Sequence, residues 1–225
     1  KPLAKCKSLK AGDKVYYINR DKNILLAVIG SEDMEKGLNV VGAHIDSPRL
    51  DLKPNPLYED SSFAYFKTHY YGGIKKYQWV TIPLAIHGVI CTIDGNSVKV
   101  SIGEDPNDPI FCICDLLPHL DKKLAEKKAS DFINGEKLDI LVATTEIETE
   151  DKDKKKVKEW VLQFLKEKYG VEEEDLVSAE LEIVPAGRAR YSGFDKSLIA
   201  GYGQDDRVCA FTSLMAVLSL QELPE

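Results

Sequence analysis

The sequence predicts an α/β fold built from more than one structural unit. Three observations carry that expectation. Apolar runs of strand length are continuous rather than alternating, one segment has a clear amphipathic helical stripe, and a Gly72-Gly73 break follows an aromatic strand. With 225 residues the chain can form one large or two modest domains and bury a substantial core.

Residues 14–18 and 23–29 read as strands joined by the turn Asn19-Arg20-Asp21-Lys22, and Gly30 closes the second. Residues 38–43 form a short apolar run, read as a further strand, that ends in Gly42-Ala43-His44-Ile45-Asp46-Ser47-Pro48. On an extended backbone His44 and Asp46 point to the same side. A metal-ligating histidine uses such a carboxylate to fix its tautomer and ring orientation. A turn histidine followed by an Asp-Ser-Pro cap has the same spelling, so these residues alone admit both readings.

Residues 48–56 alternate around Leu50 and Leu52 and are expected to stop at Lys53-Pro54-Asn55-Pro56. Residues 63–71 make an aromatic strand containing His69, read as a partly exposed strand histidine. The Gly72-Gly73 pair after it is a plausible boundary. Residues 78–93 and 97–102 form the next β region around the hairpin turn Asp94-Gly95-Asn96, with His87 in a structural role. An acidic loop at 104–109 leads to the apolar run 110–114. Cys112-x-Cys114 has the spacing of half a metal site, but no second Cys or His pair completes it, so it reads as buried strand. Asp115 to Leu120, containing His119, looks like the entry to a short helix.

Residues 138–144 are strand-like, and the charge run 146–156 reads as a loop leading into a helix. In that helix Val157, Trp160, Val161, Phe164 and Leu165 fall on one face, and Gly170 ends it. Glu172-Glu173-Glu174-Asp175 is expected to be a solvated cap, because consecutive side chains diverge and cannot converge on a metal. After a strand at 181–184 comes a glycine-punctuated stretch ending in Gly201-Tyr202-Gly203-Gln204-Asp205-Asp206-Arg207. A helix follows, with Val208, Phe211, Leu214, Met215 and Leu218 expected on its core side. Asp205 and Asp206 serve equally well as helix caps or as metal ligands at the helix N-terminus.

A net charge of -7 and a pI near 5.3, with lysines interleaved among acids, exclude a phosphate-neutralising surface and hence a nucleic-acid partner. The longest apolar stretch, 80–93, is interrupted by Pro83, His87 and Gly88, so no membrane span is expected. No signal peptide opens the sequence, and five scattered cysteines read as reduced thiols, which points to the cytoplasm.

Taken together, the His44 and Asp205 motifs resemble the M18 family of zinc aminopeptidases, the aspartyl aminopeptidase and aminopeptidase I group. Leu50-Asp51-Leu52-Lys53-Pro54, Tyr71-Gly72-Gly73 and Arg190-Tyr191-Ser192-Gly193-Phe194-Asp195 are similar to that family as well, in the family's order and over essentially the whole chain. The resemblance implies a mixed-sheet α/β peptidase domain, residues 1–73 and 190–225, interrupted by a β-rich α/β dimerisation domain at 74–189. It implies an aminopeptidase acting on peptide substrates with two zinc ions per complete active site. His44 would be a terminal zinc ligand with Asp46 behind it, and Asp205 would bridge both metals, often with a cis peptide to Asp206. His119 of the inserted domain would reach a neighbouring subunit's site within a dimer-based homo-oligomer, by family resemblance a dodecamer. Family members continue past the bridging aspartate with a Glu-Glu pair, a further carboxylate and a late histidine. None of these follows Asp205 here, and Glu172 to Glu174 come too early, so the resemblance implies a fragment inactive by itself. A non-catalytic oligomerising fragment and a related M42-type glutamyl aminopeptidase are the alternatives.

Overall fold

Two short antiparallel strands, β1 (Lys14–Asn19) and β2 (Asn23–Val28), pair from Lys14↔Val28 to Asn19↔Asn23 across the expected turn. The turn works because Arg20 and Asp21 both adopt positive φ, 51° and 54°. This is a computed structural model, and it describes residues 1–122, 126–148 and 155–220. The chain divides into two compact units, Lys1–Asp46 with Gln204–Glu225, and Ser47–Gly203.

The larger unit is organised by a long hairpin, β3 (Arg49–Asp60) and β4 (Phe63–Tyr71). Lys53-Pro54-Asn55-Pro56 does not stop β3, contrary to the sequence expectation. The register with β4 shifts between Leu52 and Leu57, so the two prolines sit in a β-bulge, where a missing N–H costs no ladder bond. Asn55 takes φ 54° there and Pro56 is fully buried. The bulge also reverses parity: Leu50 and Leu52 face inward before it, Leu57 after it.

Four more strands complete the sheet: β5 (Leu84–Cys91), β6 (Ser97–Ile102), β7 (Ile140–Ala143) and β8 (Glu180–Pro185). Their order is β6-β5-β8-β3-β4-β7, antiparallel at every pairing. β5 begins at Leu84, not at 78, because Lys76–Gln78 form a 3-10 turn and Pro83 lacks an N–H. The segment around Cys112 bridges β5 and the edge strand β7: Phe111 exchanges backbone hydrogen bonds with Leu84 of β5, and Cys112 accepts one from Leu141 of β7. Ile113 turns into the core while Cys114 is exposed, so the expected buried strand is buried on one side only.

The apolar inner face closes over Leu50, Phe66, Leu84, Ile86, Ile140 and Ile183. After α1 (Ala129–Phe132), the main helix of this unit is α2 (Lys156–Tyr169). It buries Val157 and Val161 against the sheet, with Trp160 and Leu165 partly buried beside them. Its N-terminus is held from β3: the Glu59 carboxylate accepts hydrogen bonds from the N–H groups of Val157 and Lys158, both at 2.9 Å. Gly170 ends α2 in the left-handed conformation, φ 66°. The acidic run after it forms a capping box on a 3-10 helix (Glu173–Ser178), as a cap should. Asp175 is not solvated, however; it is buried and accepts from the N–H groups of Ile93 and Glu172.

A short hairpin, β9 (Arg190–Ser192) and β10 (Leu198–Ala200), precedes the last helix, α3 (Gln204–Leu218). Two expectations fail in the smaller unit. Residues 38–43 form no strand, and Val40 and Val41 are exposed. Val208, Phe211, Leu214, Met215 and Leu218 of α3 are exposed rather than packed in a core. The shared reason is that none of the described residues of that unit forms a second layer over these apolar side chains. Residues 118–120 form a turn that leads to a helical residue at Lys122, beyond which 123–125 lie outside the described residues. The centre of the charge run, 149–154, lies outside the described residues. No helix among the described residues is long and apolar enough to cross a membrane.

At Gly88 the backbone of β8 closes tightly on β5. It holds φ 145°, and a Cβ there would stand 1.9 Å from the Glu180 carbonyl oxygen of β8. Gly88→Ala is therefore expected to destabilise the fold by about 3 kcal/mol or more, read as a lowered denaturation midpoint. A variant as stable as the parent would contradict the β5–β8 register.

Candidate metal centre

The residues leading to His44 carry it on non-repetitive backbone, and the imidazole is open to solvent, with 69% of the side chain exposed. Each ring nitrogen meets a carboxylate. Nδ1 lies 2.8 Å from Asp46 Oδ1, the pair that the two-residue spacing predicts. Nε2 lies 2.7 Å from Asp206 Oδ2, on a residue 162 positions later in the sequence.

Local backbone explains how α3 offers that carboxylate. Gly203 has φ 81°, Asp205 is extended at φ -88° and ψ 115°, and the Asp205–Asp206 peptide is cis, as the family resemblance implies. Regular helix begins only after Asp205. The Asp206 side chain thus turns toward His44 while its neighbour Asp205 hydrogen-bonds to it.

Crowding three carboxylates around one imidazole draws positive charge into the cluster. The hydrogen bond to Asp46, followed by the charge of Asp206, raises the His44 pKa above its ordinary value. Asp206 is also raised, first by its hydrogen bond with Asp205 and then by burial. Imidazole and carboxylates are donors that zinc accepts, and a histidine with one nitrogen tied to a carboxylate is oriented to ligate through the other.

The spacing is that of directly hydrogen-bonded partners. Zinc–nitrogen and zinc–oxygen bonds of about 2.0–2.2 Å hold two donors of one tetrahedral ion roughly 3.3 Å or more apart. Among the described residues, no group of three or more His, Cys, Asp or Glu side chains is placed to hold a metal. In donor chemistry alone the cluster fits zinc.

The other sequence candidates belong to the Ser47–Gly203 unit. His119 is exposed on a turn of the Ser47–Gly203 unit. Two residues on, Asp121 is buried, and among the described residues its Oδ1 has no hydrogen-bond partner. His69 faces Glu136 at 3.6 Å and His87 pairs with Glu104 at 3.1 Å, structural roles in both cases. The Asp206 contact is the feature that sequence reasoning did not supply. Its only signal was the second aspartate of the Asp205-Asp206 pair.

The motif segments are also tied within the larger unit, where the Tyr202 hydroxyl donates to the Pro48 carbonyl at 2.8 Å. Gly201 permits the chain to pass Ala189, since a Cβ there would lie 2.9 Å from the Ala189 Cβ.

Comparison with known proteins gives a consistent result. Residues 3–224 match the family described as aminopeptidase I zinc metalloprotease (M18). A probable M18 family aminopeptidase 1 of Clostridium acetobutylicum is 57% identical over 219 residues, 97% of this chain and 47% of the relative. Its counterpart from Thermotoga maritima is 54% identical over 205 residues, 91% of this chain and 44% of the relative. The chain thus spans about half the length of the curated relatives it matches. The crystal structure of aminopeptidase I from C. acetobutylicum superposes with a TM-score of 0.89 at 55% identity, covering 99% of this chain and 49% of that one. The M18 aminopeptidase structure from T. maritima gives 0.88 at 51%, covering 97% and 47%. A structure of the S. cerevisiae mApe1 dodecamer shares the fold, with a TM-score of 0.62 at 22% identity over 92% of this chain and 45% of that one.

Proposed function

This chain belongs to the aminopeptidase I (M18) family of zinc metalloproteases, and on that premise we propose that His44, Asp46, Asp205 and Asp206 form one edge of a two-zinc aminopeptidase centre. The observation that carries the reading is the His44 imidazole held between Asp46 and Asp206. A buried or surface histidine needs one carboxylate partner at most. Two, with a third carboxylate adjoining, are what supports a cation site here.

When bound, zinc supplies Lewis acidity, lowering the pKa of water and polarising a carbonyl. The residues of this chain prepare that chemistry. Asp46 accepts a hydrogen bond from Nδ1–H and so fixes the ring orientation in which Nε2 would serve as the zinc donor. Asp205, with two oxygens, is the candidate bridge between two ions. Asp206 holds excess negative charge at Nε2 and orients the ring. The substrate would be a peptide bound by its free N-terminus, and a general base and further ligands would come from elsewhere in the protein.

In this reading residues 74–189 form the dimerisation insert of a homo-oligomeric, cytoplasmic enzyme, and His119 reaches a neighbouring subunit's site. The yeast dodecamer supports assembly of this general kind. For the 225 residues taken by themselves, a non-catalytic, oligomerising role is the alternative reading. The extent of the M18 match leaves the M42-type alternative without support of its own.

In the full-length protein, His44→Ala is expected to abolish hydrolysis of aminoacyl-anilides and to lower zinc content, measured by elemental analysis of the folded variant. Retained turnover at unchanged zinc content would remove His44 from the ligand set. Asp46→Asn is expected to leave the circular dichroism unchanged and to weaken zinc affinity or rate by about 10–100-fold. Parental zinc affinity and rate in that variant would show that Asp46 does not orient His44.

A further inference from the structure

Cys112-x-Cys114 is a sequence motif that the peptidase reading leaves unused. Backbone hydrogen bonds on both sides keep this segment extended: Phe111 with Leu84, Cys112 with Leu141, and the Ile113 carbonyl with the Thr81 N–H at 2.9 Å. Side chains therefore alternate. Ile113 is 3% exposed and points into the core, so the two thiols share the outward side. Cys112 is partly exposed, Cys114 is exposed, and both are free thiols. Cys114 lines a cavity of about 430 Å³ together with Asp115, Asp131, Lys127 and Lys137. The two lysines and two aspartates balance in charge, and the carboxylates are hard donors that add nothing for a soft ion.

We propose that Cys112 and Cys114 form a two-thiolate binding site for a soft d10 cation of the Cu(I) class. Spacing decides between this and the other uses of a thiol pair. Residues i and i+2 of a strand have Cα atoms about 6.6 Å apart. That is near the upper limit, about 6.8 Å, for a disulfide, whose sulfurs must approach to about 2.05 Å. A linear S–metal–S unit with bonds of about 2.3 Å places the sulfurs about 4.6 Å apart and suits the extended backbone better. Tetrahedral zinc requires further donors, and no third His, Cys, Asp or Glu joins the pair among the described residues.

Binding is a ligand exchange. Each thiol gives its proton to solvent, two sulfur–metal bonds form, the complex carries one negative charge, and no electron is transferred. Burial raises the Cys114 pKa, and the neighbouring Cys112 thiol adds to this, so the Cys114 proton is one that the cation displaces.

The test is an anaerobic titration of the reduced full-length protein with Cu(I) against a competing Cu(I) chelator. One high-affinity ion per chain is expected. Cys112→Ser and Cys114→Ser should each weaken binding by about 100-fold or more, because two-point attachment is lost. Cys91→Ser should retain parental affinity. Cys114 is exposed, so its variant tests the site even where Cys112→Ser perturbs folding. X-ray absorption of the copper-loaded protein should show two sulfur neighbours. Undiminished affinity in Cys114→Ser, or nitrogen and oxygen neighbours at the metal, would overturn the proposal.

Discussion

An imidazole has two nitrogens, and the candidate site depends on how His44 uses them. The nearer partner, Asp46, is set by local geometry: two residues along, same side, 2.8 Å from Nδ1. The farther partner, Asp206, arrives only because α3 starts irregularly, with Asp205 extended before the helix winds. One contact is encoded within three residues; the other requires the N- and C-terminal parts of the sequence to share a unit. His44 thus joins sequence elements that flank a long intervening segment.

The intervening unit has its own logic, which turns on β3. Its bulge changes which face the following residues present, and that change brings Leu57 and Glu59 to the inner side with Ala64 and Phe66 of β4. Glu59 can then cap α2 directly from the sheet. Without the shift, the carboxylate would face outward and the helix N-terminus would lose its anionic partner. On the opposite face of the same hairpin Tyr58 stacks on Tyr65, and its hydroxyl donates to Asp139 at 2.7 Å. Burial pushes the Tyr58 hydroxyl pKa well up, with that bond adding to it, so Tyr58 remains a donor across the physiological range.

Periodicity and turn chemistry revealed most of this fold. The α2 stripe, the β1–β2 turn and the β5–β6 hairpin at Asp94-Gly95 were all legible, because each is decided by neighbours within one or two turns of chain. Misread positions share a different cause. Lys53-Pro54-Asn55-Pro56 spells a stop unless a partner strand accommodates a bulge, and that partner is β4. The apolar side chains of α3 spell a core face, whereas in the structure they are exposed. Asp175 spells solvated acid until the Ile93 N–H reaches it from 82 residues away. At the candidate site, His44 and Asp46 could be paired on paper. The choice of Asp206 over Asp205 as the partner of Nε2 rests on backbone angles that no spacing rule reports.

The way Phe111 and Cys112 join β5 to β7 also bears on self-association. A sheet edge displays backbone N–H and carbonyl groups that can recruit a strand from another molecule. Here the Leu141 N–H of β7 is already engaged by Cys112, and both backbone groups of Leu84 are engaged by Phe111. The outer strand left at the other end, β6, is six residues long and carries Lys99 at its centre. Strand-templated aggregation on β6 would therefore meet a short edge whose ammonium group must first be desolvated.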